Sequence, residues 1–269
     1  MDRVPFLFVN AVLHCLNSES LSAPRLLDHP LWSSVAEEHH RKRKDYVFWL
    51  CNPYADMYHV LMGQLDGPQY VTPEEWLRSD KTHLRIRKVY FSSPQWRNTP
   101  HRTFEEAVQC SRKMIPYLND LKEIIVSIPL EDENKGWDFL WKRTCHTLNY
   151  NADVRETSVI RWQLENNDRL ERINSYLFSY DEVSDLLPLC IEKRITWRMK
   201  FFLLRLMLRR LKAWQGEAQW DDIYPELPTK TVLGPPKPKQ GRAFYEDEHI
   251  RKEFVWFSRN RTSFTITWK

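Results

Sequence analysis

The sequence predicts an α/β or α+β protein that opens with a short helical module. Two observations favour this class: apolar residues recur at helical spacing within residues 1–45, and strand-like and helix-like segments alternate through the middle of the chain. Apolar residues make up 42% of the 269 residues, which indicates a globular chain rather than a disordered one.

Residues 1–45 carry two apolar helical patterns. Pro5 suits the first turn of a helix, because its missing N–H has no intrahelical partner to lose. Pro30 limits how far the second helix can run unbent. Short helices are marginal alone, so these pack either on the core of their own domain or on a partner. The two apolar sets are Phe8, Val9, Val12, Leu13 and Leu16, then Leu21, Leu26, Leu27 and Leu31.

Three β-strands are predicted in the middle of the chain. Residues 84–91 begin by alternating apolar and charged side chains, residues 124–128 are apolar and β-branched, and residues 157–162 form a third strand-like run. Strands that alternate with helices imply right-handed crossovers and parallel pairing. A leucine-rich-repeat-like array and an open α/β sheet both fit this pattern of repeated β-α units. The strand centres lie near Val89, Val126 and Ile160.

Three helices are predicted between and after these strands. Thr103 and Glu106 have the spacing of a capping box, in which the threonine is the N-cap of a helix and the glutamate reaches back to it. A second helix is predicted over residues 136–148. A third is marked by apolar residues at helical spacing, Leu170, Ile173 and Leu177.

The predicted domain organisation has four parts. A helical module over residues 1–45 precedes an α/β body over residues 46–224. Residues 225–243 are rich in proline and lysine and are predicted to form a linker or exposed loop. Residues 244–269 contain strands that join the main domain, the last at an edge or in a hairpin.

Residues 194–215 are predicted to form a basic amphipathic helix. Its charges interrupt every apolar window, so a transmembrane segment is not expected. Such a helix either packs its apolar face into the core or lies on a partner or an anionic membrane surface. Its basic stripe comprises Arg198, Arg205, Arg209 and Lys212.

The composition argues against several kinds of function. A net charge of +4 is too small to indicate a nucleic-acid partner by itself. No GxGxxG, GxSxG, HExxH or CxxC motif occurs, so we predict no cofactor, no metal and no enzymatic activity. Five scattered cysteines favour free thiols and a cytoplasmic or nuclear location. The basic run 39–44 is either a nuclear-localisation signal or the solvated end of the second helix.

The N-terminal residues resemble the F-box, a helical module that docks a protein onto the Skp adaptor of a ubiquitin ligase. The F-box pattern opens on Leu-Pro, where this chain has Val4-Pro5, and it closes on a tryptophan, matched by Trp32. The apolar helix positions between them are matched by Val9, Val12, Leu13 and Leu16.

A large nematode family with F-box-like starts is similar over roughly the first fifty residues. Its members open with Val-Pro-x-x-Phe-Val, followed by His-Pro-Leu-Trp and a basic His-His-Arg stretch. The matching residues are 4–9, 29–32 and 39–41. The resemblance implies a non-catalytic substrate adaptor: the module would bind a Skp-type adaptor through Val4, Pro5, Val9, Val12, Leu13, Leu16 and Trp32, and the body would recognise an unknown protein target.

Overall fold

The chain has a mixed α/β fold. The structure, a computed structural model, describes residues 4–16, 20–54, 57–67, 70–92, 100–128, 136–151, 157–177, 185–201, 241–246, 250–258 and 261–268. It divides into two compact units. The first comprises Met1–Tyr90 and Pro94–Leu121, and the second comprises Phe91–Ser93 and Lys122–Lys269.

The first unit opens with the predicted N-terminal helices, which are α1 (Phe6–Cys15), α2 (Ser22–Arg25) and α3 (Pro30–Lys42). Pro30 occupies the first turn of α3, where its fixed φ and missing N–H suit a helix start. The second apolar segment therefore divides into two helices at this proline. Basic side chains fill the last turn of α3, where they complement the negative end of the helix dipole.

The sheet of the first unit follows these helices. Its strands are β1 (Lys44–Tyr54), β2 (Met57–Gln64), β3 (Tyr70–Val71) and β4 (Leu84–Ser92), in the spatial order β3-β2-β1-β4. The strand predicted at residues 84–91 is confirmed as β4. β1 and β2 form an antiparallel hairpin in which Leu50 lies opposite Val60. The helix α4 (Pro73–Arg78) begins at a capping box made by Thr72 and Glu75.

The capping box predicted at Thr103 is confirmed at the start of α5 (Phe104–Arg112). The Thr103 hydroxyl accepts a hydrogen bond from the Glu106 N–H at 3.3 Å, and the Glu106 carboxylate accepts one from the Thr103 N–H at 2.9 Å. Two N–H groups at the helix start are satisfied in this way. α5 buries Ala107, Cys110 and Ser111.

The second unit contains repeated β-α units, as predicted. The strands β5 (Leu121–Val126), β6 (Cys145–Tyr150), β7 (Arg172–Leu177) and β8 (Thr196–Phe201) are neighbours in chain order. β6 pairs with β7, and β7 with β8, both in parallel. The intervening helices are α6 (Asp138–Trp141), α7 (Ser158–Asn166) and α8 (Leu187–Glu192).

One fully buried residue recurs at the same place in each of these strands. Leu148 lies opposite Ile173, and Ile173 lies opposite Trp197. Ile124 is the corresponding residue of β5, and the four positions lie 24 or 25 residues apart. This ladder gives the unit a shorter period than the roughly thirty-five residues that separate the predicted strand centres. The shorter period favours the leucine-rich-repeat-like alternative over an irregular open sheet.

Three predictions within this region are wrong. Residues 158–162 belong to the helix α7, not to a strand, and they bury Val159 and Ile160 at adjacent helical positions; Thr157 is the N-cap. The predicted helix over 136–148 is the short α6 followed by β6. Leu170, Ile173 and Leu177 mark β7 and the turn before it, not a helix. The spacing of three arises because Cys145 and Leu148, at the start of β6, are both buried, as are Leu170 and Ile173 around the start of β7.

The C-terminal strands are β9 (Gly241–Glu246), β10 (Ile250–Ser258) and β11 (Arg261–Trp268). β11 pairs antiparallel with β8 and with β10, so it is an internal strand and β9 takes the edge. β9 begins inside the predicted linker 225–243, of which residues 225–240 lie outside the described residues. All five cysteines are free thiols, as predicted.

We expect Thr103→Ala to lower the free energy of unfolding by about 1 kcal/mol, because it removes the hydroxyl that accepts the Glu106 N–H. Urea denaturation followed by circular dichroism measures the change. Thr103→Ser keeps an accepting hydroxyl and serves as the control. Equal destabilisation by alanine and serine would contradict a role for the cap.

Candidate docking surface of the N-terminal helices

The three N-terminal helices enclose a small core of their own. Two residues of α1, Val9 and Leu13, are fully buried, and Val35 and Ala36 of α3 close the other side. Leu21, just before α2, completes the cluster. Val9 and Leu13 lie one helical turn apart, so a single stripe of α1 supplies the packing. The half-buried residues Val4, Leu16, Leu31 and Trp32 pack around this core.

The same helices leave large apolar side chains in solvent. The exposed set has two parts, one at the start of α1 and one just after α2. Contiguous exposed apolar side chains, more than scattered ones, mark partner surfaces, and Phe6, Leu7 and Phe8 are consecutive in the chain. The exposed fractions are 50% for Phe6, 76% for Leu7, 55% for Phe8, 86% for Leu26 and 49% for Leu27.

The structure corrects the expected exposure of Val9 and Leu13. Both are 0% exposed and belong to the core of the helices, so they are not available to a partner. Val12 and Leu16 are half-buried and keep part of their surface in solvent. A substitution at Leu13 therefore disturbs the fold of the helices before it disturbs any docking.

The other residues predicted to bind an adaptor have mixed positions. Pro5 is exposed and is the N-cap of α1, where its carbonyl accepts hydrogen bonds from the N–H groups of Phe8 and Val9. Val4 and Trp32 are half-buried against the core. They support the helices from outside the closed cluster, and each keeps part of its surface in solvent.

Two arginines fasten the C-terminal end of α1 to the sheet of the first unit. Arg43, just after α3, donates to the carbonyl oxygens of Leu13 and Leu16, the latter at 2.8 Å. Arg85 of β4 donates to the carbonyl oxygens of His14 at 2.9 Å and Leu16 at 2.6 Å. The last carbonyls of a helix lack intrahelical donors, so these two guanidinium groups serve as its C-terminal cap.

The charge of Arg85 is balanced by Asp45 of β1. The Arg85 Nε and Nη2 atoms donate to the two carboxylate oxygens of Asp45 at 2.8 and 2.9 Å, a bidentate pair. Burial, followed by repulsion from Arg85, lowers the pKa of Arg43 to about 10, so Arg43 remains protonated at neutral pH. One carboxylate and three backbone carbonyls thus surround two cations.

A group of histidines lies beside this clamp. The ring of buried His39 contacts those of His14 and His83 edge-on, with centroids 5.9 and 4.9 Å apart. His39 Nε2 lies 2.8 Å from the Asn10 side-chain oxygen, and Arg43 donates to His39 Nδ1 at 3.1 Å. This pattern fits a neutral imidazole with its proton on Nε2. Burial and the nearby charge of Arg43 lower the pKa of His39 to about 4.

The histidine group is not arranged as a metal site. Both ring nitrogens of His39 already have hydrogen-bond partners, and His83 faces the Glu38 carboxylate at 3.6 Å. Within the described ranges, no set of three histidine, cysteine, aspartate or glutamate side chains could hold a metal ion. The group instead packs α1 and α3 against the residues that precede β4.

The basic helix predicted at 194–215 is wrong over its first part. Residues 196–201 form β8, and Arg198 is an exposed residue of that strand, opposite Asn174 of β7 and Thr265 of β11. Arg205, Arg209 and Lys212 lie outside the described residues. No helix in the described part of the chain has the length and apolar character needed to cross a bilayer.

Sequence reasoning missed both the exposed apolar set and the arginine clamp. A consecutive Phe-Leu-Phe at residues 6–8 cannot fit one stripe of a helix, and this was the available signal for surplus apolar surface. Arg43 and Arg85 carry no local signal, because their partners lie about thirty and seventy residues away in the chain.

Comparisons with known proteins identify no relative of the chain. No protein-family model matches the chain, and neither a curated protein nor a solved structure shows significant similarity to it. The candidate surface is therefore interpreted from its own geometry and from the residues that resemble the F-box.

We expect Arg85→Met to lower the free energy of unfolding by about 3–5 kcal/mol, because it leaves Asp45 and the α1 carbonyls without their donors. Arg85→Lys keeps the charge but lacks the fork of donors, so we expect it to lower the free energy of unfolding by less than Arg85→Met does. Denaturant titration of both variants measures the difference. A methionine variant as stable as the wild type would contradict the clamp.

The histidine group predicts a loss of stability in acid. Because the folded-state pKa of His39 lies below the ordinary value of about 6.5, its contribution is complete above that pH and is lost as pH falls towards 4. We expect the urea midpoint to fall between about pH 7 and about pH 5. His39→Gln should reduce this dependence, whereas His40→Gln, at an exposed position of the same helix, should not. If His39→Gln left the pH dependence of the urea midpoint unchanged, His39 would not be the group responsible for the loss of stability in acid.

Proposed function

We propose that the chain is a non-catalytic, F-box-like substrate adaptor, in which the N-terminal helices dock a Skp-type protein of a cullin ubiquitin ligase. The observation that carries the proposal is the exposed apolar set, Phe6, Leu7, Phe8, Leu26 and Leu27, on helices whose own core is already closed. The resemblance of Val4-Pro5 and Trp32 to the F-box pattern supports the same reading.

The apolar set is better suited to a protein partner than to the core. A small domain gains about 1.5–3 kcal/mol from each large apolar side chain it buries, so leaving five of them in solvent forgoes considerable stability. The core of α1 to α3 uses other residues and has no need of these five. Burial against a partner helix or groove would recover that free energy on association.

The N-terminal helices are attached to the sheet of their own unit. The clamp of Arg43 and Arg85 fixes α1 to β1 and β4 of the first unit. The repeated β-α units of the second unit would supply the target-binding surface.

Co-purification with a Skp-type adaptor tests the proposal. We expect the full chain to retain a co-expressed Skp-type protein, and we expect Leu7→Asp combined with Leu26→Asp to abolish this. Each change places a carboxylate in an interface that would otherwise be dry, at a cost of about 2 kcal/mol or more. Both positions are exposed, so the circular dichroism spectrum and the denaturation midpoint should change little.

Ser34→Asp combined with His40→Asp is the matched control, since it adds the same carboxylates at exposed positions of α3. This control should still retain the Skp-type protein. Failure of the wild-type chain to retain any Skp-type protein would overturn the proposal. Equal loss in the control would show that added charge, and not the apolar set, weakens the association.

A further inference from the structure

One face of the parallel strands in the second unit is uncovered. Residues of β5 to β8 alternate between the two sides of the sheet, and one side holds the buried ladder of Ile124, Leu148, Ile173 and Trp197. The alternate residues point away from that ladder. Leu121 and Cys145, at the starts of β5 and β6, are buried. The half-buried or exposed residues of this face on β6 to β8 include Thr147, Asn149, Arg172, Asn174, Tyr176, Thr196 and Arg198.

This uncovered face is polar and basic between β6 and β8. The seven residues named above include two arginines and no carboxylate. Asn174 donates its side-chain amide to the Asn149 side-chain oxygen at 2.6 Å, and Asn149 donates in turn to Glu123 of β5. These amides form a hydrogen-bonded row that holds the middle of the face in place. Tyr176, at 39% exposed, adds an aromatic surface near the end of β7.

Neither arginine has a carboxylate partner among the described residues. Both are exposed, whereas Arg85 and Arg161 are each paired with an aspartate. Arg172 lies opposite Thr196, and Arg198 lies opposite Asn174. The two Cα atoms are therefore diagonal neighbours, about 8 Å apart from strand geometry.

That separation suits an acidic segment in extended conformation. Side chains two residues apart on an extended chain lie on the same side at about 7 Å. Two carboxylates at such positions could each accept a guanidinium fork, because arginine pairs with carboxylate in a planar bidentate geometry. The amides and hydroxyls beside the arginines on β6 to β8 are neutral, and the Glu123 carboxylate of β5 already accepts a hydrogen bond from Asn149.

We propose that this face, centred on Arg172 and Arg198, binds an acidic, extended segment of a partner protein. The identification of that partner as a ubiquitination target rests on the proposed function, but the binding itself does not. A protein segment is favoured over nucleic acid because two exposed arginines and a net charge of +4 are few for a phosphate-binding surface.

Fluorescence anisotropy with a labelled poly-glutamate peptide tests the proposal on the full chain. We expect binding at low salt that weakens as salt rises. Arg172→Glu combined with Arg198→Glu should reduce the affinity by about tenfold or more, because like charges then face the peptide. Arg172→Gln combined with Arg198→Gln should give a smaller loss of affinity for the peptide. Because this variant removes the charges without reversing them, it still tests the proposal if charge reversal disturbs folding.

Arg41→Glu combined with Arg78→Glu is the matched control, with the same change of net charge at exposed positions of α3 and α4. It should leave the affinity unchanged within about twofold. The proposal is overturned if wild-type protein does not bind poly-glutamate at low salt, or if the control loses as much affinity as the variant. Tighter binding of single-stranded oligothymidylate at the same residues would overturn it in favour of nucleic acid.

Retention of the Skp-type protein, measured on the same variants, separates this proposal from the adaptor proposal. Arg172 and Arg198 lie in the second unit, outside the N-terminal helices, so their replacement should leave that retention intact. Loss of peptide binding together with intact retention supports both proposals. Peptide binding that depends on the two arginines in a chain that retains no Skp-type protein would support the docking face alone.

Discussion

The first unit depends on the way in which the C-terminal end of α1 is satisfied. Helix ends expose carbonyl groups that need donors from outside the helix, and a short helix is marginal alone. Arg43 and Arg85 provide those donors from two other elements, and Asp45 balances the charge of Arg85. Because the arginines are largely withdrawn from water, each is stable there only while its partners remain in place. The ends of α1, α3, β1 and β4 are therefore mutually dependent.

This constraint explains why the module can expose so much apolar surface and remain folded. Its attachment does not rely on the apolar residues of the Phe-Leu-Phe run, since polar contacts to backbone carbonyls hold α1 at one end and the Val9–Leu13 stripe holds it along its length. The exposed residues are free to serve another surface. The neutral form of His39 belongs to the same arrangement, because a second proton on its ring would face the Arg43 guanidinium at close range.

The parts of the fold that are encoded locally were predictable from the sequence. The N-terminal helices, β4, β5 and the capping box at Thr103 follow from short-range patterns, and each is present. The period of the second unit was not predictable in the same way. Buried residues at or just before the starts of β5, β6 and β7 have a spacing of three, as Cys145 and Leu148 do, and this spacing is also typical of a helix. The β-branched pair Val159-Ile160 favoured a strand, but burial on one face of α7 prevails. For the candidate site, Val4, Pro5 and Trp32 were assigned through a resemblance and their role stays a prediction. The arginine clamp could not be predicted locally, because its partners are distant in the chain.

We infer that the N-terminal helices form one cooperative body with β1 and β4, so that their exposed apolar side chains are surplus to folding. Native-state hydrogen exchange at increasing urea concentration tests this cooperativity. We expect the slowest amides of α1 and α3 to exchange with the same opening free energy, and the same dependence on urea, as those of β1 and β4. Exchange of α1 amides at a far lower free energy, with no dependence on urea, would contradict it, because the helices would then open on their own and would need their apolar residues for another contact within the chain.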